Sequence, residues 1–443
     1  MVKDNKAIFM KKKISFLLST LIIIIITFFS YNYIDKKKRE ISILKKKIIK
    51  LNIEKGNIAT KIGFIPFKYL DNIELDILDN SVYLNKYKTG LLNFTKGFGG
   101  KGSSYLDTYN NQLYLISANG LVAKTSLDNL QNKTFDMKIV DTNIYTILNE
   151  DLMYEEVGYG IKDIFIDNNK VFISFVDEIK KNCYNLSILE GKITDDNINF
   201  KYFFKPESCI KKDIEENFSL LQSGGRIINF DNENLLVTFG EFRSRLLSQD
   251  LNTINGKIIK INKKSKIIEI ISIGHRNPQG LTIDKKTNII YSSEHGPKGG
   301  DEINIIYKKK TIQNFGWPIA SYGEHYDNNK KDNSHLYKTA PLFKSHKNYG
   351  FIEPAKNFTP SIGISELILF NIFNQKTLMA SSLGNDIDEG DMSLHIYLFD
   401  EEKLTNYKSI TINERIRDMV YIEKKNLIVL FLETTSSIGL IKF

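Results

Sequence analysis

The stretch "GHRNPQGLTIDKKTNIIYSSEHGPKGGDE", Gly274 to Glu302, concentrates residue types that can do chemistry: two of the six histidines, an arginine, two prolines and a Gly-Gly-Asp-Glu turn. Of its side chains, His275 and His295 are the ones that exchange protons near neutral pH. Gly296-Pro297 and Gly299-Gly300 suit a turn whose backbone carbonyls face a ligand, because glycine permits close approach and unusual dihedrals. Hard cations such as calcium take carbonyl and carboxylate oxygens, and Asp301 and Glu302 set charge beside those carbonyls. Gly and Asp also make ordinary turns, so these residues alone leave both uses open. Other chemistries find no support. There is no GxSxG elbow and no Walker pattern. "GFGGKG", Gly97 to Gly102, has dinucleotide-type glycine spacing, but strand and turn follow it where a helix is required.

The elements that must position such a knot are strands. From about residue 65 onward a unit recurs: a polar turn, then a short run rich in β-branched and aromatic side chains. The instances are "NNQLYLIS" from Asn110, "NNKVFISF" from Asn168, "NENLLVTF" from Asn232, "KTNIIYSS" from Lys286, "NQKTLMAS" from Asn374 and "KKNLIVLF" from Lys424. Copies recur roughly 50 to 90 residues apart, as expected when a four-stranded sheet is repeated radially. The spacing therefore predicts an all-β fold over 63–443, a six-bladed β-propeller of four-stranded antiparallel sheets. The widest gap, between the fourth and fifth copies, reads as an insertion over one face. In a propeller the loops at one end converge on the channel, so residues from distant blades can meet there.

Composition bounds the rest. The chain has 443 residues, 42% hydrophobic and 26% charged, which is enough for one large domain plus an appendage. The net charge of +9 comes mostly from lysines before residue 60, with no basic stripe interleaved with aromatics, so no nucleic-acid partner is expected. Cys183 and Cys209 show no CxxC spacing. They are open to either reading, one disulfide or two free thiols.

Before the body, residues 1–13 form a basic tail. Ile14 to Ile34 is an uncharged run of about twenty residues, the length of a transmembrane helix. Lys11, Lys12 and Lys13 precede it, Lys36, Lys37, Lys38 and Arg39 follow it, and Tyr31 and Tyr33 sit where interfacial aromatics belong. A cleaved signal peptide is the competing reading; the length of the run and the absence of an A-x-A-like site favour an uncleaved anchor. In the stalk at 35–62, Ile41, Leu44, Ile48 and Leu51 follow an a/d spacing. That fits a short coiled coil pairing two chains as a homodimer, or a solvated single helix.

"GHRNPQGL", "SEHGPKGGDEIN" and "NFGWP" (Asn314 to Pro318) resemble the quinoprotein sugar dehydrogenases, the glucose/sorbosone dehydrogenase family. "SGGRIINFDNENLLVTFGE" from Ser223, "SQDLNTINGKIIKI" from Ser248, "FTPSIGIS" from Phe358 and "RIRDM" from Arg415 agree in order. The resemblance runs from about Gly160 to the C-terminus and is weak in the first blade. It implies pyrroloquinoline quinone (PQQ) over the channel, with calcium (Ca2+) between cofactor and protein. Arg276 and Asn277 would contact the quinone side, the carbonyls of Gly296 and Pro297 would ligate the metal, and Arg417 would pair with a cofactor carboxylate or the developing negative charge. His295, Asp301 and Glu302 stand close by. The family's chemistry oxidises the anomeric hydroxyl of an aldose to a lactone: a base takes the hydroxyl proton while hydride passes to the quinone, polarised by the metal and Arg276. The implied substrate is a small sugar or alcohol. The implied location is the bacterial cytoplasmic membrane, with the propeller facing the periplasm or the outside.

Two positions depart from the pattern. The family's base is a histidine two residues before Gly-Gly-Arg, and here "SLLQSGGR" puts Gln222 there. A glutamine amide can hydrogen-bond a hydroxyl but cannot take its proton, and general-base catalysis is worth roughly 10²- to 10⁴-fold. In "ASSLGND", Gly384 stands where many relatives carry a basic residue. The sequence thus leaves two readings: a membrane-tethered PQQ-dependent dehydrogenase with a changed base, or a propeller that lost turnover and binds a saccharide or a partner protein.

Overall fold

The computed structural model describes residues 59–90, 103–213, 218–307, 311–326, 334–384, 391–400 and 403–443, together with helical residues 27, 30–41, 43, 44 and 47. Two units separate, Met1–Lys55 and Gly56–Phe443. The second carries the fold, and its first strand begins at Phe64.

The strands are β1 Phe64–Ile77, β2 Asn80–Lys88, β3 Ser104–Tyr109, β4 Gln112–Ser117, β5 Val122–Ser126, β6 Thr134–Thr142, β7 Gly160–Asp167, β8 Lys170–Lys180, β9 Cys183–Ile193 and β10 Asn197–Phe204. They continue with β11 Ile210–Lys211, β12 Gly224–Asn229, β13 Asn234–Phe239, β14 Lys257–Asn262, β15 Ile268–Ile273, β16 Pro278–Asp284, β17 Ile289–Glu294, β18 Asp301–Ile306 and β19 Gln313–Asn314. The last are β20 Lys356–Phe358, β21 Ile364–Ile372, β22 Gln375–Ser382, β23 Ser393–Asp400, β24 Lys403–Thr411, β25 Ile416–Ile422, β26 Leu427–Leu432 and β27 Ser437–Lys442.

The all-β expectation holds. Antiparallel pairing gathers β3-β4-β5-β6, β7-β8-β9-β10, β12-β13-β14-β15, β16-β17-β18-β20 and β21-β22-β23-β24 in turn. The last group is β25-β26-β27 with β2 on its outer edge, Leu84 opposite Ile441 and Lys88 opposite Ser437. The first strands of successive groups, β3, β7, β12, β16, β21 and β25, pack against one another, and β25 returns to β3. Each quoted repeat is the second strand of its group. Its polar lead-in turns tightly because asparagine tolerates the left-handed region, as at Asn110, Asn168, Asn288, Asn374 and Asn426.

Apolar residues of adjacent groups fill the wedges between sheets. Ile173 and Phe175 pack with Tyr105 and Ile116, and Phe172 and Leu186 pack with Ile227 and Val237. At the axis the filling is polar. Arg226 of β12 donates to Asp163 of β7 at 2.7 Å, Asp418 of β25 at 2.8 Å and the carbonyl of Gln279 on β16 at 3.2 Å. It also meets Glu366 of β21 and lies 6.0 Å from the ring of Tyr105 on β3. One guanidinium thus touches every other first strand. The carboxylates go on to bridge neighbours: Asp163 accepts from Ile227 N and Asp418 from Leu106 N. Such saturation is what keeps charges tolerable in a buried place.

The inserted segment in the gap between the fourth and fifth repeats lies inside one group, between β18 and β20, and holds β19 and a short helix at Ser334–Thr339. It packs on the Gly296–Gly300 turn, where Lys298 and Glu324 form a bridge. A Cβ on Gly300 would sit 2.3 Å from Gly323 N, so only glycine fits. Cys183 and Cys209 are joined as a disulfide that ties the start of β9 to the segment entering β11.

The expected single-pass placement in a bacterial membrane is corrected: among the described residues no helix is long and apolar enough to cross a membrane. The helix at 30–41 is charged, with Lys37–Glu40 and Arg39–Asp35 ion pairs, and Tyr31, Tyr33 and Ile34 are exposed. Residues 1–13, 14–26, 28 and 29 lie outside the described residues, as do Ile48 and Leu51 of the a/d series.

Candidate active site

A cavity of about 450 Å³ opens where the first strands begin. Gln222, Arg276, Asn277, His295, Gly296, Pro297, Asp301, Gly384 and Arg417 all line it, so segments far apart in sequence meet around one space. Glu302 does not line it. That carboxylate is buried with Asn304 and His346, and burial pushes it well above the usual carboxylate range.

Bulges aim the lining. In β7, β16 and β25 the register with the second strand slips at Lys162, Gln279 and Arg417. A bulge bends the strand and redirects the extra residue, so these three equivalent positions face the cavity instead of continuing the ladder. In β12 the slip spans Gly225 and Arg226, and β3 pairs with β4 without one. The first group's departure from the others is therefore a backbone difference as well as a sequence one.

Gln222 sits in a polar cage. With its amide oriented to complement its neighbours, the nitrogen donates to Glu241 at 2.7 Å, and the oxygen accepts from Arg276 at 2.7 Å and Arg243 at 3.0 Å. Glu241 is fully buried, and burial lifts it to about 7 against the pull of Arg276 and Arg245. Asn277 ties this loop to β16: its oxygen accepts from Gly224 N, and its nitrogen reaches Leu221 O. Its amide therefore positions the loop as well as facing the cavity.

The turn after β17 is built around Arg276 and Asp301. Arg276 donates to the carbonyls of His295 and Gly296, and its guanidinium lies 5.4 Å from the ring of Trp317. Asp301 accepts from Gly296 N, Ser361 Oγ, Ile362 N and Ile364 N, so its lone pairs are spent on holding the turn against the next group. A Cβ on Gly296 would meet Gly300 O at 2.1 Å, which explains the glycine. His275 lies beneath, between Ser272 and Glu294 and stacked on Phe315, a packing role. His295 is held neutral: burial takes it to about 4 against the pull of Asp301, and Arg276, Arg417 and Arg415 push the same way as burial.

Arg415 and Arg417 share Glu433, through bonds of 3.1 and 2.6 Å. Against burial, the two guanidiniums hold the Glu433 carboxyl below its ordinary value. Arg415 also donates to the carbonyls of Leu383 and Gly384, so a cation stands at the position where the side chain has none.

Sequence reasoning missed Lys162, Arg243 and Arg415 in the lining, and Glu241 and Glu433 behind it. Arg415 was visible in "RIRDM" beside Arg417. Lys162 in "GIKDIFID" reads as an outward strand residue until the bulge is known. With Lys298, the lining carries six lysine and arginine side chains, and its one carboxylate, Asp301, is already engaged. Such a cavity suits a polyanion whose carboxylates replace water around the guanidiniums.

Residues 157–439 match the family described as Glucose / Sorbosone dehydrogenase. The chain is 38% identical over 117 residues to the aldose sugar dehydrogenase YliI of Escherichia coli K12, covering 23% of this chain and 30% of that one. Alignments span half or less of the length of the first curated relatives matched. In fold, the chain is similar to the soluble aldose sugar dehydrogenase of Escherichia coli in its apo-form, with a TM-score of 0.59 at 20% identity over 77% of this chain and 99% of that one. It is also similar to the PQQ-bound form of aldose sugar dehydrogenase from Streptomyces coelicolor, with a TM-score of 0.54 at 16% identity over 77% and 98%.

Proposed function

The chain belongs to the glucose/sorbosone dehydrogenase family, and from that premise we propose that it oxidises the anomeric hydroxyl of an aldose to a lactone with PQQ as hydride acceptor. We read the strand groups as the six blades of a propeller whose channel mouth is the cavity. One observation carries the proposal: the cation-lined cavity into which Arg276, Arg417 and the Gly296-Pro297 turn converge.

The residues present fit the cofactor. PQQ is planar and carries carboxylates, and Arg415 and Arg417 offer guanidiniums braced by Glu433. Arg276, fixed against Trp317 and the Gly296 carbonyl, would be the residue to polarise a quinone oxygen. When bound, PQQ supplies the acceptor for the hydride. Calcium fits the turn through carbonyls: Gly296 O accepts from Arg276 and Pro297 O from Ser361, and a carbonyl oxygen keeps a second lone pair. Among the described residues no group of three or more His, Cys, Asp or Glu could hold a metal, so a cation here would rest on carbonyl oxygens, which suits calcium. The chain's own part is to orient the sugar, exclude water and take one proton. Gln222 can orient a hydroxyl, but its amide cannot take that proton.

The caged Gln222 favours one second reading, a cavity that binds a saccharide without turnover. Absorbance titration with PQQ and calcium, followed by an aldose-dependent dye assay, separates them. Uptake with dye reduction supports the dehydrogenase, uptake without turnover supports the binder, and no uptake removes the PQQ reading.

A further inference from the structure

We propose that Lys162 is the proton acceptor in this site, taking the role left open by Gln222; the inference rests on the reading of the cavity as a sugar-oxidising one. Lys162 occupies the bulge of β7, the same position in its group that Gln279 and Arg417 occupy in theirs, and all three line the cavity. Its stem runs beside the start of β12: a Cβ added to Gly225, three residues after Gln222, would meet Lys162 Cβ at 2.4 Å. The glycine therefore leaves room for this lysine.

Among the described residues no hydrogen bond or ion pair engages the Lys162 amine, whereas Arg276, Arg415, Arg417 and Gln222 around it are all committed to partners. The charged groups that act on it are Arg417, which repels its proton, and Glu433, which attracts it but is shared by two guanidiniums. Burial is the larger influence and brings the amine down to about 7, so at neutral pH much of it holds a free lone pair. That range matches a working general base. Glu241 is not among the residues lining the cavity. As an anchor for a carboxylate, a half-neutral amine holds an anion less well than the neighbouring guanidiniums.

In the step, the O–H bond of the anomeric hydroxyl breaks and its proton passes to Lys162 Nζ. The C1–H bond breaks, its hydrogen leaves with both electrons for the quinone, and the lactone C=O forms. Sugar is oxidised and quinone is reduced, and the proton held on the ammonium passes to the reduced quinone, which balances the transfer of two electrons and two protons.

The test uses the full-length protein and two independent readouts. Without cofactor, limiting acetic anhydride from about pH 5 to about pH 10 should label Lys162 half-maximally near pH 7, while surface lysines label near about 10. With PQQ and calcium, Lys162→Met should keep uptake within about threefold and lose roughly 10²- to 10⁴-fold in dye reduction. Lys162→Arg should be as slow, and adding Gln222→His to Lys162→Met should restore turnover. Half-labelling near about 10, or wild-type turnover in Lys162→Met, overturns the proposal. So does loss of uptake in Lys162→Met with uptake and turnover kept in Lys162→Arg, which is the behaviour of an anchor. A wild-type protein that takes up no PQQ overturns the dehydrogenase reading and this one with it, and labelling near pH 7 would still identify a depressed amine as the surviving fact.

Discussion

The side-chain oxygen of Gln222 accepts a hydrogen bond from Arg276 at 2.7 Å, so the residue in the place of the expected base is tied to the arginine expected to polarise the acceptor. The same amide satisfies Arg243 and the buried Glu241. Gln222→Leu therefore leaves three charged groups short of a partner, and the expected loss of stability is about 1–3 kcal/mol by urea unfolding. Gln222→His, which can still donate to Glu241 and accept from one arginine, should lose less than the leucine variant.

Arg417 tests the anion-binding face. Arg417→Met removes one charge-assisted contact, expected to weaken PQQ uptake by roughly 10- to 150-fold in an absorbance titration. Unchanged uptake would take Arg417 out of the cofactor site.

At the axis, Arg226→Met strands the carboxylates of Asp163, Asp418 and Glu366. The expected destabilisation is about 3–5 kcal/mol, read as a lower urea midpoint.

Two other buried acids give a pH signature. Burial takes Asp107 and Glu241 to about 7. Each holds a proton in the folded state that the unfolded chain has lost, so this stabilisation is complete below about pH 4 and fades as pH rises through the folded values. Lys162, Lys257, Lys266, Lys285, His295, His325 and His346 act in the opposite sense, being depressed in the folded state. A substitution isolates the share of one acid: the lead of the wild type over Asp107→Asn in urea midpoint should shrink from about pH 6 to about pH 8. A lead that grows across that interval would contradict this assignment.

How much of this was legible follows from what strands reveal. The repeats announced the second strand of every group because those strands are buried on both faces and read as unbroken apolar runs after an asparagine turn. The glycine-rich motifs located the cavity because close backbone approach leaves no alternative, as at Gly296 and Gly300. Lys162 and Arg226 were hidden: a lone charge in an apolar strand ordinarily faces water, and only a bulge turns these inward. Glu241 and Glu433 were hidden because their partners lie on other strands. The cysteine pairing was open in sequence and needed the short β11, which lays Ile210 and Lys211 beside Tyr184 and Cys183.

That pairing gives a further expectation. The bridge closes a loop of sequence separation 26. Cys183→Ser with Cys209→Ser should cost about 3.5 kcal/mol on the loop-entropy account, seen as a lower melting temperature that reductant no longer shifts.

The edge seam between β2 and β27 has a consequence for synthesis. On the ribosome, β2 emerges early and waits with an open edge until β27 follows, so the nascent protein carries a sticky border throughout elongation. Its neighbours on a polysome offer the same unfinished border. Zipping that seam then closes a border that would otherwise invite pairing with another chain.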